Sequence, residues 1–348
     1  MNKINIVNCL LTRKCNLRCS YCQISGNIDT PLKPSDYPGS KYYYANEKDT
    51  NWWINVLTKL WRHNKDVFFI LYGGEPFLRW EMLAEIVLHL NRIGAYYTII
   101  SSCNAGIEKN IYNFFGKVSH VEGFTASIDP GFYLKDPGTR EEMQDDEIYK
   151  SSTGYRMLKE LMRRGIVKDP VAEITCDKDT IFLLHETIKR LTADGIVSDI
   201  TMIDIAKTNY YDFSNITNPV NLVHPTPEVL KVFDDIIKDD SLKVHMKEYL
   251  LPRIFKYLPS NMNCDLEKNL SNISIDSDGN LRTCLRIRGR FVTKFSADAL
   301  LNDDGDLSEE FEVIHEALSA DKKSLCKGCM WSCIMMSESG DCNGIINH

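Results

Sequence analysis

The sequence predicts an α/β fold built around a parallel β-sheet of six strands. Segments of strand length and helix length alternate from about residue 4 to residue 205, which is typical of consecutive βαβ units. Residues 67–71 are apolar throughout, as expected for a strand that is covered on both faces. Six strands are too few for the eight of a complete (β/α) barrel. Periodicity alone leaves open whether the sheet is open or partly closed.

The elements of this first part can be placed in order. The first strand covers about residues 4–12 and runs directly into a loop that contains three cysteines. Residues 25–50 are rich in Pro, Gly, Tyr and Lys, and we expect either a lid or a solvated excursion there. The predicted helices cover about residues 51–64, 76–93, 107–115, 153–164 and 180–193, and the further strands cover 67–71, 95–101, 121–128, 171–176 and 198–205.

The alternation stops near residue 208. A polar, proline-containing stretch at 208–226 reads as a linker, and two helices are predicted at about 227–238 and 241–258. Asp278-Gly279 lies between two alternating runs, 272–276 and 280–284, which indicates a β-hairpin. The sequence therefore predicts a core at 1–207, a linker with bridging helices at 208–259, and a small C-terminal cysteine-rich part at 260–348.

The overall composition excludes several classes of protein. The net charge of −7 gives no general reason to bind a phosphate backbone, so a nucleic-acid partner is not expected. No apolar run is long enough to span a bilayer, and the N-terminus does not resemble a signal sequence. Twelve cysteines in 348 residues, without an export signal, indicate metal or catalytic use in a reducing cytoplasm.

The chemistry is centred on the three cysteines of the first loop, Cys15, Cys19 and Cys22. Thiolates are the usual ligands of iron–sulfur clusters, and a [4Fe–4S] cluster takes four ligands. Three cysteines leave one iron open for a substrate or cofactor. A zinc knuckle is the alternative, but structural zinc sites normally have four protein ligands, and no further cysteine or histidine follows before His63.

This loop resembles the CxxxCxxC motif of the radical S-adenosylmethionine (SAM) enzymes, with Tyr21 just before the third cysteine. The resemblance implies a partial (β/α)6 TIM-like barrel in which the three cysteines ligate a [4Fe–4S] cluster. The open iron of that cluster would chelate SAM. Reductive cleavage of SAM would then give a 5′-deoxyadenosyl radical, which removes a hydrogen atom from the substrate.

Further matches follow at the ends of the predicted strands. Gly73-Gly74-Glu75, followed by Pro76, matches the GGE motif that meets the methionine ammonium of SAM. Two glycines allow a close backbone approach, and a carboxylate complements an ammonium group. The weaker matches, for which simple strand capping is the alternative, are Ser102 and Asn104 after the third strand, Ser127 and Asp129 after the fourth, and Arg140.

A second set of six cysteines lies in the C-terminal part. Its members are Cys264, Cys284, Cys326, Cys329, Cys333 and Cys342. The spacing around Gly279 resembles the SPASM and twitch extensions, which hold auxiliary iron–sulfur clusters. Six cysteines cannot supply the eight thiolates of two fully ligated clusters, so we expect at least one auxiliary cluster, with the first four as the first choice. A four-cysteine zinc site would satisfy the same spacing.

Three cysteines remain, namely Cys9, Cys103 and Cys176. Buried cysteine usually packs as a small apolar residue, and this is expected of Cys9. Cys103 and Cys176 end predicted strands, where α/β barrels carry their chemistry. For Cys176 we consider the role of a thiol that returns a hydrogen atom to a substrate radical, with simple packing as the alternative.

The resemblance favours a peptide or protein substrate, with a dehydrogenase of small molecules as the alternative. A flavodoxin- or ferredoxin-type protein would supply the electron. An alternative function from a different class is that of a non-catalytic scaffold stabilised by metal, or of an RNA-binding module. The sequence names neither the substrate nor the bond that is formed.

Overall fold

The computed structural model describes residues 4–17, 46–128, 152–176, 178, 180–202, 226–245, 272–282 and 292–325. In these parts of the chain it confirms an α/β fold with a mostly parallel sheet. The strands are β1 (Ile6–Leu10), β2 (Phe68–Tyr72), β3 (Tyr96–Ser101), β4 (Val121–Ser127), β5 (Val167–Cys176), β6 (Val197–Met202), β7 (Asn272–Ile275), β8 (Asn280–Arg282) and β9 (Val292–Ser296).

The sheet has the order β6-β5-β4-β3-β2-β1-β7-β8-β9. The first six strands pair in sequence order and are all parallel, which is consistent with a partial TIM-like barrel. β7 pairs with β1 in parallel, and β8 and β9 follow as antiparallel strands. The carboxyl ends of β1 to β7 therefore meet along one edge of the sheet.

The helices that follow the strands occur where the sequence predicts them. They are α1 (Thr50–His63), α2 (Trp80–Ile93), α3 (Glu108–Lys117), α4 (Thr153–Arg163), α5 (Leu184–Ala193) and α6 (Pro227–Lys238). A further helix, α7 (Phe311–Leu325), lies near the C-terminal end. Asp49 caps α1 by accepting a hydrogen bond from the Trp52 amide (2.8 Å). Gly94 ends α2 in the left-handed conformation, at φ 69°, which glycine adopts without strain. No helix in the described ranges has the length and apolar character needed to cross a bilayer.

The core lies between the sheet and these helices. In β3 the residues alternate between half-buried and fully buried, because successive side chains point to opposite faces of the sheet. On the helix side of the sheet, the rings of Phe77 and Phe114 pack edge to face, with centroids 5.2 Å apart. Phe124 of β4 joins them, 6.1 Å from Phe77. The opposite face of the sheet includes Thr98 and Thr125, whose hydroxyl groups are hydrogen-bonded to each other (3.3 Å).

The hairpin predicted around Asp278-Gly279 is confirmed as β7 and β8, and Gly279 has φ 86°. Its position adds to the prediction, because β7 extends the main sheet beside β1. The proposed boundaries at 207 and 259 remain predictions. The helix predicted from residue 241 is wrong at its start, since 241–245 form a turn and a short bridge to β6. The sequence did not indicate β9 or α7.

Candidate functional site

Two glycines after β2 allow the start of the cysteine loop to pack directly against the turn that follows this strand. The amide of Gly74 donates to the carbonyl of Thr12 (2.7 Å), and the amide of Glu75 donates to that of Lys14 (2.8 Å). A Cβ on Gly73 would lie 2.6 Å from the Thr12 carbonyl oxygen, and one on Gly74 would lie 2.4 Å from that of Lys14. Both distances are too short for a real Cβ, so this approach requires glycine.

The carboxylate of Glu75 joins the end of β2 to the end of β3. Its Oε1 accepts from the Ser101 hydroxyl (3.0 Å) and the Phe77 amide (3.1 Å). Its Oε2 accepts from the amide (3.0 Å) and the hydroxyl (2.5 Å) of Ser102. The side chain is fully buried, and this desolvation raises the pKa of Glu75, although the hydrogen-bond donors oppose the shift. A carboxylate has about four lone-pair positions, so Glu75 is fully engaged by groups of the protein.

A chain of polar side chains continues from Glu75 to the cysteine loop. The hydroxyl of Ser102 accepts a hydrogen bond from Nδ2 of Asn104 (2.7 Å). Nδ2 of Asn16 donates to Oδ1 of Asn104 (2.7 Å), and Nδ2 of Asn104 donates to Oδ1 of Asn16 (3.2 Å). Asn16 directly follows Cys15. The network Glu75–Ser102–Asn104–Asn16 therefore connects three loops at the carboxyl edge of the sheet.

Cys103 lies between two members of this network and has an unusual backbone. Its φ is 46°, a left-handed conformation that costs a non-glycine residue roughly 1–2 kcal/mol. The Cys103 amide donates to the Ser101 hydroxyl (3.0 Å), which helps to hold the turn. The thiol is fully buried, and burial raises the pKa of Cys103. Burial and the raised pKa favour a packing role for Cys103, because the thiolate is the reactive form.

Glu47 provides another attachment for the start of the cysteine loop. Its carboxylate accepts from the Thr12 hydroxyl (2.9 Å), the Arg13 amide (2.8 Å) and Nη1 of Arg79 (3.2 Å). The side chain is 4% exposed, so these hydrogen bonds are largely shielded from solvent. The Arg13 side chain extends in another direction and pairs with Asp276, the residue after β7. Three separate segments thus fix residues 12–14, immediately before Cys15.

Cys15 is half-buried at this edge of the sheet, and its sulfur accepts a hydrogen bond from the Leu17 amide (3.4 Å). The remaining predicted metal ligands lie outside the described residues, namely Cys19, Cys22, Cys264, Cys284, Cys326, Cys329, Cys333 and Cys342. The predicted SAM contacts Asp129 and Arg140 also lie outside them. Among the residues that are described, no group of three or more His, Cys, Asp or Glu side chains is arranged to hold a metal ion.

Two further predicted residues end their strands on opposite faces of the sheet. Ser127 is half-buried at the end of β4 and is in register with Glu173 of β5. Cys176 ends β5 and is fully buried, as are Ala172 and Ile174 at the alternate positions of this strand. The Cys176 thiol therefore lies on the helix side. This placement favours packing over the role of hydrogen donor.

The groups at this edge fit the expected ligands. Cys15 provides one thiol, the type of donor that an iron–sulfur cluster takes. The backbone of Gly73 and Gly74 is partly accessible, as are the side chains of Asn16 and Asn104. Carbonyl oxygens and amide groups suit the ammonium and carboxylate of an amino-acid ligand such as the methionine part of SAM.

The sequence did not point to several residues of this site. Three of them lie beside the first cysteine, namely Thr12, Arg13 and Asn16. Their position in the sequence was the only sign that they could belong to the site. Glu47 falls at the end of an irregular stretch with no recognisable pattern. Asp276 directly follows the first run of the predicted hairpin, and only the pairing of β7 with β1 brings it to the cysteine loop.

Comparisons with known proteins agree with this fold. Residues 9–121 match the model of the Radical SAM superfamily. Among solved structures, Streptococcus suis SuiB bound to S-adenosylmethionine superposes with a TM-score of 0.58 at 13% identity, covering 90% of this chain and 68% of that one. Native anSMEcpe with bound AdoMet gives 0.53 at 12% identity, covering 93% and 89%.

A second structure of native anSMEcpe, with bound AdoMet and Cp18Cys peptide, has a TM-score of 0.54 at 12% identity and covers 96% of this chain and 88% of that one. A comparison with curated protein sequences finds no match. At these identities the solved structures establish a shared fold. The family match adds that residues 9–121 of this chain are similar to the Radical SAM superfamily.

Proposed function

We propose that this protein is a radical SAM enzyme that removes a hydrogen atom from a peptide or protein substrate. The observation that carries the proposal is the position of Cys15. This residue opens the CxxxCxxC motif inside the matched region, and the loop before it is hydrogen-bonded to the Gly73-Gly74-Glu75 turn. Two motifs that are about 60 residues apart in sequence thus share one edge of the sheet, where α/β barrels carry their chemistry.

In this proposal, Cys15, Cys19 and Cys22 hold a [4Fe–4S] cluster, and one iron remains for SAM. When bound, SAM would take one electron from a flavodoxin- or ferredoxin-type donor and would supply methionine and a 5′-deoxyadenosyl radical, which would remove the substrate hydrogen atom as 5′-deoxyadenosine. The protein binds and orients SAM. The backbone of Gly73 and Gly74 accepts hydrogen bonds from its ammonium group, while Ser102, Asn104, Ser127, Asp129 and Arg140 contact the rest of the molecule.

Glu75 has a different role here from that expected of its motif. Its carboxylate is buried and accepts four hydrogen bonds within the protein. It therefore supports the β2 and β3 loops, and the accessible backbone of the two preceding glycines meets the ligand. Cys176 is not included among the reacting groups, because its thiol is buried on the helix side of β5.

A peptide substrate is supported by the anSMEcpe structure that contains bound AdoMet and a peptide. The second cysteine set, of which Cys264 and Cys284 flank the β7–β8 hairpin, would hold at least one auxiliary [4Fe–4S] cluster. In the alternative, this set holds zinc. A dehydrogenase that acts on a small molecule is the alternative within the superfamily, and a metal-stapled scaffold is the alternative outside it.

Isotope transfer tests the proposal. The iron- and sulfide-loaded protein is incubated without oxygen with SAM, dithionite and a peptide pool prepared by proteolysis of perdeuterated cell protein. Deuterium in the 5′-deoxyadenosine, detected by mass spectrometry, is the expected result. Transfer only from a deuterated pool of small metabolites would contradict the peptide class and support the small-molecule dehydrogenase. No 5′-deoxyadenosine under any condition would contradict an enzyme and support the scaffold.

A further inference from the structure

Arg13 and Asp276 form a buried ion pair at the carboxyl edge of the sheet, 263 positions apart in the chain. Nε of Arg13 donates to Oδ1 of Asp276 (2.9 Å), and Nη2 donates to Oδ2. The exposed fractions of the two side chains are 7% and 0%. This is the bidentate arrangement in which a guanidinium and a carboxylate fix each other's orientation as well as their distance.

The two partners belong to the two cysteine-bearing parts of the chain. Arg13 lies two residues before Cys15. Asp276 follows β7 and begins the turn of the hairpin, where its carbonyl accepts from the Gly279 amide (2.8 Å) and its Oδ1 accepts from the Ser277 amide (2.7 Å). Cys264 precedes this hairpin and Cys284 follows it. The parallel pairing of β1 with β7 brings the two ends together.

Stability alone gives little reason for such a pair. Removing two charges from water is costly, and well-packed apolar residues at the same positions are often as stabilising. A buried ion pair is better explained by the orientation that it imposes. Among the described residues, residues 12–14 also make backbone hydrogen bonds to the β2 turn and contacts to Glu47. Asp276 adds a contact from the C-terminal hairpin that also compensates the positive charge of Arg13.

We propose that Asp276 is a positioning residue for the N-terminal cluster, which it reaches through Arg13. It orients the Arg13 side chain beside the cysteine loop and neutralises its charge. The inference rests on the proposed function, since it requires a cluster on Cys15, Cys19 and Cys22. Through this contact, the hairpin that precedes most of the second cysteine set influences the cluster on the first set.

The direction in which the reduction potential of the cluster shifts distinguishes this role from simple structural support. Reduction adds negative charge to a cluster, and the potential of a cluster depends on nearby charge and hydrogen bonds. Asp276→Asn removes a negative charge next to the cysteine loop, so the reduction potential should rise. Arg13→Gln removes a positive charge there, so the potential should fall. In the double variant both charges are absent, and the potential should return towards that of the wild type.

The experiment is an anaerobic potentiometric measurement monitored by EPR. The signal of the N-terminal cluster is identified as the one that is absent when Cys15, Cys19 and Cys22 are all changed to Ala. Asp194→Asn is the matched control, because it removes a partly buried carboxylate that pairs with Lys159 and Tyr155 on α4. Its potential should equal that of the wild type.

Opposite shifts in the two single variants, with recovery in the double variant, are the expected result. Shifts in the same direction, or no shift, would overturn the inference. If Arg13→Gln does not assemble a cluster, the reduction potentials of Asp276→Asn and the double variant are compared instead. The potential of Asp276→Asn should then be the higher of the two, and equal potentials would overturn the inference. A wild-type protein whose N-terminal cluster does not respond to SAM would instead contradict the proposed function.

Discussion

The side-chain amides of Asn16 and Asn104 exchange two hydrogen bonds, of 2.7 and 3.2 Å, across 88 positions of the chain. Asn16 follows the first cysteine of the CxxxCxxC motif, and Asn104 lies in the loop after β3. Through the Ser102 hydroxyl, the pair connects to the buried carboxylate of Glu75. The start of the cysteine loop is therefore held by a loop that carries none of the three cysteines of the motif.

We expect Asn104→Ala to lower the rate of SAM cleavage by roughly 10–100-fold, as losses of contacts behind metal ligands often do. The variant loses the hydrogen bonds with Asn16, Ser102 and the Gly106 amide but retains the cysteines. Measured rates of 5′-deoxyadenosine formation, together with iron content, test this expectation.

Asn91→Ala is the matched control for Asn104→Ala. Asn91 makes two side-chain hydrogen bonds, with Tyr97 (2.7 Å) and the His120 carbonyl (2.9 Å), where Asn104 makes four, and it lies at the end of α2. Asn91→Ala should lose stability of about 1 kcal/mol per hydrogen bond, without a change in SAM cleavage. Equal activities of the two variants would show that the Asn16–Asn104 contact does not matter to the site.

Gly74→Ala should destabilise the protein by about 1–3 kcal/mol, because the new methyl group would lie 2.4 Å from the Lys14 carbonyl oxygen. Gly116→Ala is the control, since no atom lies within 4 Å of the corresponding position on α3. That change should be neutral or stabilise the protein by up to about 1 kcal/mol. Urea unfolding of the cluster-free proteins measures both. Similar stabilities for the two variants would contradict the close packing of the β2 turn on the cysteine loop.

The pH dependence of stability tests the burial of Glu75. Desolvation raises the pKa of this carboxyl above its ordinary value of 4.5, so the folded protein holds a proton that the unfolded chain has released. The contribution of Glu75 to the free energy of unfolding should therefore decrease as the pH rises from about 4.5 through the raised pKa. The difference in the free energy of unfolding between the wild type and Glu75→Gln, measured with urea between pH 4 and about 8, should decrease in the same way. A difference that increases with pH would show that the hydrogen bonds outweigh desolvation.

Much of the fold could be predicted from the sequence because its signals are local. The apolar run that forms β2, the Gly94 stop of α2 and the Asp278-Gly279 turn each determine structure within a few residues. The place of the hairpin could not be predicted in this way. The pairing of β7 with β1 joins residues more than 260 positions apart, and no local pattern encodes a partner at such a distance.

The site could be predicted only in part, for a related reason. Cys15, Gly73 and Gly74 were recognised because their spacing and chemistry form known motifs. Arg13 and Asp276 were not, since each resembles an ordinary polar residue at the end of a strand. Cys176 shows the opposite problem. Its position at the end of β5 suggested chemistry, but the alternation of that strand directs its side chain towards the helices.

Metal analysis tests the assignment of the second cysteine set. If this set holds a [4Fe–4S] cluster, the reconstituted protein should contain about four irons beyond the four of the N-terminal cluster, with matching sulfide. Zinc and iron–sulfur sites share cysteine ligands, so the metal content decides between them. One zinc and only about four irons per chain would favour the zinc alternative.

The most direct test of the proposed function is the formation of 5′-deoxyadenosine from SAM and dithionite. It is compared between the wild type and the variant in which Cys15, Cys19 and Cys22 are all changed to Ala. The wild type should form the product in amounts stoichiometric with the protein, and the triple variant should form none while it keeps its C-terminal metal. Product from the triple variant, or none from a fully loaded wild type, would contradict the assignment of these three cysteines to a SAM-cleaving cluster.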